Sequence, residues 1–177
     1  MEDENIIRVI SIMDDTPVDG PGFRTAIYCA GCTNACPGCH NPSTWDPNAG
    51  RDMTVQEVFD HIVGDEFANV TFTGGDPFFR PLGFAKLAEK LKAETNKNIW
   101  CYTGYLFENL VKNENAMKLL KHLDVLVDGP FVEAKKNLSL RFRGSENQRL
   151  IDVKASLKEG KVILWQDWQT EGKGLRK

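Results

Sequence analysis

The sequence has no long hydrophobic run and no excess of basic residues. None of its 177 residues lie in a run approaching the roughly 18 consecutive apolar residues of a membrane-spanning helix. Lysine and arginine together number 22 against 25 aspartates and glutamates, so the net charge of −3 gives no basic field for nucleic acid. The acidic start, Met1 to Asn5, lacks the basic and then apolar pattern of a signal peptide. We therefore expect a cytoplasmic protein without a membrane or nucleic-acid partner.

Cysteine is scarce outside one short loop. Four of the five cysteines lie within residues 29–40, and only Cys101 lies elsewhere. A disulfide framework would spread cysteines along a small secreted chain, so this clustering favours a reducing compartment. Cys101 falls within a predicted strand and is expected to be a core residue. The length and the hydrophobic content of 41% suit a single domain that spans residues 1–177.

The rest of the chain alternates predicted strands with predicted helices. Strands are predicted at 6–13, 25–29, 69–73, 98–103 and 125–127, and helices at 54–63, 82–94 and parts of 106–123. Residues 14–24, 41–52 and 133–149 are predicted loops, and two apolar runs follow at 150–153 and 161–165. This alternation predicts an α/β fold with right-handed crossovers and a mostly parallel sheet. Because only about four or five β/α units fit the length, we expect a partial, open β/α barrel.

Four successive predicted strands each end in an unusual loop. The first enters the cysteine-rich segment, and the others end in Gly-Gly-Asp-Pro at 74–77, Thr-Gly-Tyr at 103–105 and Asp-Gly-Pro at 128–130. Ligands of parallel α/β sheets bind at the carboxyl ends of the strands. The four loops are therefore expected to lie together on one rim.

The cysteine loop is expected to bind a metal. Cys32, Cys36 and Cys39 form a C-x3-C-x2-C pattern, with Cys29 three residues ahead. Thiolates crowded together without a cation would be costly to bury, so a metal is predicted among them. A zinc site would use two Cys-x2-Cys pairs, which here stand unusually close, and an electron-transfer cluster would use all four thiolates. A [4Fe–4S] cluster held by three cysteines would leave one iron open for chemistry, with Cys29 in the core.

The C-x3-C-x2-C pattern, followed about 35 residues later by Gly-Gly-Asp-Pro, resembles the radical S-adenosylmethionine superfamily. The resemblance implies a [4Fe–4S] cluster on Cys32, Cys36 and Cys39. It also implies S-adenosyl-L-methionine bound at the open iron and cleaved reductively to a 5′-deoxyadenosyl radical. Many members carry an aromatic residue before the last cysteine, where this chain has Gly38, and this departure indicates a subgroup.

The flanking residues indicate the subgroup. The segment Asp-Gly-Pro-Gly-Phe-Arg at 19–24 resembles the activases of glycyl-radical enzymes. The segments at 39–45, 128–131 and 141–149 resemble the activators of anaerobic ribonucleoside-triphosphate reductase. The resemblance implies an oxidoreductase that generates a glycyl radical on that reductase, with an electron donor such as flavodoxin or a thioredoxin-like reductant. Because the rim of a partial barrel is open, the partner is expected to supply part of the lid.

The alternatives are an activase of the pyruvate formate-lyase type, an electron-transfer iron–sulfur protein and a zinc-stabilised binding module. The resemblance also implies cofactor-binding residues, with no catalytic side chain beyond the cluster and cofactor. They are Gly38, Cys39 and His40 at the adenine end, Gly74, Gly75 and Asp76 at the amine, and Thr103, Asp128 and Arg143 nearby. Each has an ordinary alternative: turn chemistry for the strand-ending residues, a plain loop histidine for His40, and a solvated loop for Arg141 and Arg143. Trp165 and Trp168 are expected to pack the last strand or to form a docking patch.

Overall fold

The computed structural model of the protein describes residues 3–167, and Trp168 lies outside this range. Its strands are β1 (Ile6–Thr16), β2 (Arg24–Cys29), β3 (Arg51–Thr54), β4 (Asn69–Gly74), β5 (Ile99–Tyr102), β6 (Val125–Asp128) and β7 (Arg149–Asp152). Its α-helices are α1 (Val55–Val63), α2 (Pro81–Glu94), α3 (Phe107–Leu110), α4 (Glu114–Leu120) and α5 (Val153–Glu159). Short 3-10 turns lie at Pro42–Thr44 and Glu133–Lys135. No helix in the described range is both long and apolar enough to cross a membrane.

The strands form one open sheet in the order β3-β1-β2-β4-β5-β6-β7. The central strands β2, β4, β5 and β6 are parallel, as predicted, and bring the four unusual loops to one rim. The outer pairings of β1 with β2 and β3, and of β6 with β7, are antiparallel. Only residues 17–23 join β1 to β2, which is enough for a reversal but too short for a crossover. The expected open α/β fold is confirmed, with its parallel part confined to the centre.

Two predicted segments differ from the structure. Residues 51 and 52 were expected in a loop and Thr54 at the start of a helix, but residues 51–54 form β3 because their backbone pairs with Ile6 to Val9 at the start of β1. The predicted helical segment 106–123 is divided into α3 and α4. The second of these has its own N-cap, since the Asn113 side chain accepts a hydrogen bond from the Ala116 N–H. The predicted capping box at Thr54 and Glu57 is confirmed at the start of α1.

The two faces of the sheet are covered differently. Helices α1, α2 and α4 pack on one face and bury the main core, which includes Cys29 and Cys101 as expected. On the other face, Trp100 packs edge-on against Trp165 and Phe142, with ring centroids 5.0 and 5.4 Å apart. Trp165 therefore packs against the sheet, which was one of its two predicted roles. Within residues 3–167 no helix lies over the centre of this second face, and the loops around it shape the site.

Candidate functional site

The cysteine loop follows β2 and is tied back to the chain that leaves it. Gly31 N donates to Thr44 O at 2.8 Å, and Cys32 N donates to Trp45 O at 3.3 Å. Cys32, Cys36 and Cys39 are half-buried free thiols in this loop. Cys29 is only 3% exposed, and burial raises its pKa far above the ordinary value, so it remains a neutral thiol. Burial also raises the pKa of Cys32, although N–H groups of Asn34 and Ala35 oppose the shift.

Gly74 and Gly75 bring the end of β4 against the backbone of the cysteine loop. Gly75 N donates to Cys29 O, and Asp76 N donates to Gly31 O, both at 2.8 Å. A Cβ on Gly75 would lie 2.4 Å from Gly31 O, and a Cβ on Gly74 would lie 2.4 Å from Cys29 N. The family resemblance assigned these glycines to the site that binds the cofactor amine. In the structure the close approach is to the loop that carries the predicted metal ligands.

Asp76 joins three parts of the rim. Its carboxylate is buried and accepts hydrogen bonds from Thr103 Oγ1 at 2.9 and 3.0 Å and from Gly104 N at 2.9 Å. It also accepts from Phe78 N at 2.9 Å and from the Asn34 amide at 3.2 Å. Burial raises the pKa of Asp76 to about 6, although these donors favour the charged form. The predicted residues Asp76 and Thr103 are thus in direct contact, and both bind protein groups.

A cleft of about 650 Å³ opens beside the last cysteine. It is lined by Cys39 and His40, and by Thr73 and Tyr102 at the ends of β4 and β5. Residues of the 130–148 loop, including Phe131 and Arg143, complete the lining. The His40 ring lies 5.2 Å from the Phe131 ring, measured between centroids. This volume lies within the usual range of small-molecule sites, and the cleft combines aromatic, thiol and cationic groups.

Gly38 lies at the edge of the cysteine loop in a left-handed conformation, with φ of +73°. A Cβ at this position would lie 3.0 Å from the Glu133 carboxyl carbon and 3.3 Å from the Phe131 ring. Glycine is therefore favoured here by the left-handed turn, and a larger residue would also have to displace the Glu133 and Phe131 side chains slightly. The predicted residues Gly38, His40 and Arg143 come together where these two loops meet.

A buried arginine holds the loop that precedes β2. Arg24 Nε donates to Thr71 Oγ1 and Arg24 Nη2 donates to Val70 O, both at 2.6 Å, while Nη1 reaches Pro21 O at 3.2 Å. The same loop brings Asp19 within 3.4 Å of the Tyr28 hydroxyl at the cleft. Burial, assisted by Asp19, raises the pKa of Tyr28 to about 12, so its hydroxyl remains protonated near neutral pH. The Asp-Gly-Pro-Gly-Phe-Arg segment therefore has a structural role in shaping the cleft.

Asp128 lies apart from the cleft, in an ion-pair cluster. It is fully buried and accepts from Arg149 Nε at 3.0 Å, Arg149 Nη2 at 2.5 Å and Phe107 N at 2.9 Å. Arg149 also pairs with Glu108 at 2.8 Å. Asp128 thus joins β6, β7 and the start of α3, and its predicted proximity to a cofactor remains a prediction.

Sequence reasoning missed Asn34, Tyr28 and Tyr102 as residues of the site. The position of Asn34 between two cysteines of the pattern was the only signal available for it. Tyr28 and Tyr102 lie on strands, where neither the period nor the residue type separates a cleft residue from a core residue. Their exposure to the cleft follows from the fact that none of the helices in the described part of the chain lies over that face of the sheet.

The donor set of the cysteine loop fits an iron–sulfur cluster. Three thiols are presented by one loop, Asn41 N donates to Cys39 Sγ at 3.4 Å, and the Asn34 amide lies 3.8 Å from Cys32 Sγ. N–H donors of this kind stabilise thiolates that bind iron and influence the reduction potential. Within residues 3–167, no three histidine, cysteine, aspartate or glutamate side chains are gathered closely enough to hold a single metal ion.

Comparison with known proteins defines the class to which this site belongs. The family described as 4Fe-4S single cluster domain matches residues 18–151, which include the cysteine loop and the strands of the rim from β2 to β6. The fold, the three loop thiols and this match together define a 4Fe–4S single-cluster protein.

Individual relatives identify the family more specifically. The chain is 38% identical over 140 residues to the anaerobic ribonucleoside-triphosphate reductase-activating protein of Escherichia coli K12, covering 74% of this chain and 89% of the relative. It is 37% identical over 141 residues to the proteins of that name from Enterobacteria phage T4 and Vibrio cholerae. These matches cover 75% and 74% of this chain and 86% and 88% of the relatives. The chain belongs to the family of anaerobic ribonucleoside-triphosphate reductase-activating proteins, which confirms the predicted resemblance.

Proposed function

We propose that this chain is a radical S-adenosylmethionine activase with anaerobic ribonucleoside-triphosphate reductase as its protein substrate. Cys32, Cys36 and Cys39 hold a [4Fe–4S] cluster, and the cleft beside Cys39 holds S-adenosyl-L-methionine. Once reduced by an external one-electron donor, a cluster held there would supply the electron for reductive cleavage of the cofactor to methionine and a 5′-deoxyadenosyl radical, and that radical would take a hydrogen atom from a glycine Cα of the partner. The products are 5′-deoxyadenosine and a glycyl radical on the reductase.

In this proposal the residues of the cleft bind and orient S-adenosyl-L-methionine and shield it from water. His40 and Phe131 offer ring faces and edges for an adenine, while Arg143 offers a cation for the methionine carboxylate. Tyr28 and Tyr102 form an apolar wall with protonated hydroxyls, because burial raises the pKa of both groups. The rim loops that contain Gly74, Gly75 and Asp76 border the cysteine loop and are candidates for binding the methionine amine.

One observation carries the proposal. The three cysteines of the C-x3-C-x2-C pattern lie in one loop at the carboxyl rim of a parallel sheet, and the third of them lines a cleft of about 650 Å³. A purely structural or electron-transfer centre does not need a small-molecule cleft beside one ligand. The open rim also suits a protein loop as substrate, with the partner covering part of the cleft.

A cysteine series tests the ligand set. Anaerobically reconstituted Cys32→Ala, Cys36→Ala and Cys39→Ala variants should lose bound iron and all reductive cleavage of S-adenosylmethionine, measured as 5′-deoxyadenosine. Cys29→Ala and Cys101→Ala are the matched controls, since both thiols are buried in the core. Both controls should retain the iron and the cleavage.

The same series separates the alternatives. Loss of iron in Cys29→Ala would indicate a four-thiolate electron-transfer cluster and would contradict the proposal. Zinc in place of iron in the purified protein would indicate a binding module. Activation of pyruvate formate-lyase, but not of the reductase, would retain the chemistry and assign a different partner.

A further inference from the structure

The side chain of Asn34 links the cysteine loop to the rest of the rim. Its amide donates to Asp76 Oδ2 at 3.2 Å and lies 3.8 Å from Cys32 Sγ. A buried carboxylate accepts hydrogen bonds, so Asp76 requires the nitrogen end of the amide to face it. One side chain therefore contacts both a predicted cluster ligand and the buried acceptor that joins β4 to β5.

Gly104 makes room for this side chain. A Cβ added at Gly104 would lie 2.2 Å from Asn34 Nδ2 and 2.6 Å from Asn34 Cγ. The backbone of Gly104 does not have a positive φ, so glycine is not required there by conformation. The space beside Gly104 is instead filled by the Asn34 amide, which is thus enclosed between the ends of β4 and β5.

The residue after Asn34 is strained. Ala35 has a φ of +41°, in the left-handed region that residues with a Cβ rarely adopt. Such a conformation persists only where neighbouring contacts hold it. Asn34 lies directly before it, and its hydrogen bond to Asp76 is anchored in the sheet, whereas Ala35 itself is exposed.

We infer that Asn34 is a positioning residue: its amide, enclosed by Asp76 and Gly104, fixes the segment between Cys32 and Cys36 on the rim and holds the Cys32 sulfur. Only the reduction-potential test of this role rests on the proposed function, because it requires Cys32 to be a cluster ligand. In the protein without a cluster, the same contact orders the loop before any iron is bound.

Hydrogen exchange of the cluster-free protein tests the ordering role. In Asn34→Ala, the amides of Gly31 and Cys32, which donate to Thr44 O and Trp45 O, should exchange about tenfold faster, as expected for the loss of one hydrogen bond to a charged group. Asn115→Ala removes the same side chain from an exposed position on α4 and should leave these amides unchanged. Peptides from α1 report whether the variants remain folded, and unchanged exchange at Gly31 and Cys32 in a folded Asn34→Ala would overturn the inference.

A double-mutant cycle tests whether Gly104 and Asn34 act together. Gly104→Ala alone should displace the Asn34 amide and reproduce the faster exchange. In the Asn34→Ala background the added methyl has room, so the double variant should exchange no faster than either single variant. If the increases in exchange rate from the two single variants add in the double variant, the Asn34 amide does not fill the space beside Gly104.

The reduction potential of the reconstituted cluster provides a separate measurement. Removing an N–H donor from a cluster thiolate disfavours the reduced state, so Asn34→Ala should shift the midpoint potential to a more negative value. An unchanged potential would contradict contact of Asn34 with a ligand sulfur. Because the exchange experiment needs neither cluster nor cofactor, its result stands even if the proposed cleavage reaction fails.

Discussion

Gly75 shows how one residue determines the spacing of the rim loops. Its backbone does not adopt a positive φ, so the need for glycine arises from the carbonyl oxygen 2.4 Å from the position of a Cβ. Backbone cannot move aside as a flexible side chain can. Gly75→Ala should therefore lower the free energy of unfolding by about 2 kcal/mol or more, measured by urea denaturation of the cluster-free protein.

The control for this prediction is Gly22→Ala. Gly22 has a φ of +73° and open space around it, so alanine there should cost only roughly 1 kcal/mol of conformational strain. If Gly75→Ala is no more destabilising than Gly22→Ala, the end of β4 does not pack against the cysteine loop as described.

Glu108 gives a pH dependence with a definite sign. The Arg149 hydrogen bonds lower its pKa from 4.5 to about 2, so the folded state favours the carboxylate. The resulting stabilisation is fully present above about pH 4.5 and is lost as the pH falls towards 2. In urea unfolding of the cluster-free protein, Glu108→Gln should be less stable than the parent near neutral pH. The difference should shrink to nothing at the acidic end.

The effect at Glu108 is expected to be small, because its side chain is 52% exposed and solvent screens the pair. The test therefore depends on how the stability difference between the parent and Glu108→Gln changes with pH. A difference between parent and variant that does not change across the acidic range would mean that Arg149 does not pair with Glu108 in solution.

At the scale of elements, Arg149 joins β7 to β6 through the buried Asp128. Arg149→Leu leaves that carboxylate without its cationic partner and should lower the free energy of unfolding by about 3–5 kcal/mol. Arg141→Leu is the matched control, since the Arg141 ion pair with Asp167 is 55% exposed on the arginine side and should contribute about 1 kcal/mol or less. Similar losses in the two variants would contradict the assigned role of Asp128.

The sequence predicted those elements whose signals are local. The Thr54 and Glu57 capping box marks the start of α1, and Gly74, Gly75 and Asp128 mark the ends of β4 and β6. Strand β3 was missed because its four residues carry only one half-buried side chain, and its pairing with β1 depends on contacts about 45 residues away. Local periodicity contains no information on such a pairing.

The candidate site was likewise predictable only where its sequence signals are local. The cysteine spacing and the rim loops identified the region, which lies within the residues 18–151 matched by the 4Fe-4S family. The cleft could not be predicted, because it depends on the 130–148 loop lying beside His40 and on Tyr28 and Tyr102 being left uncovered by the helices of residues 3–167. The contact of Asn34 with Asp76 joins residues 42 positions apart and likewise required the structure.

At the scale of the whole molecule, an open sheet with one uncovered rim suits a partner that completes the site. The main core supports the sheet from one face, and loops together with strand residues such as Thr73 and Tyr102 form the cleft on the other. A substrate as large as a protein loop can reach such a rim without opening a lid. The proposed activity therefore belongs to the complex, and the reductase should protect the cleft loops from hydrogen exchange when it binds.

The most direct test is electron paramagnetic resonance of the partner. The reconstituted chain, S-adenosylmethionine and a one-electron reductant should be incubated anaerobically with anaerobic ribonucleoside-triphosphate reductase. We predict a glycyl-radical signal on the reductase that appears with an equivalent amount of 5′-deoxyadenosine and is absent with Cys36→Ala. A reductase that gains no radical while the cluster is intact and reduced would contradict the central claim.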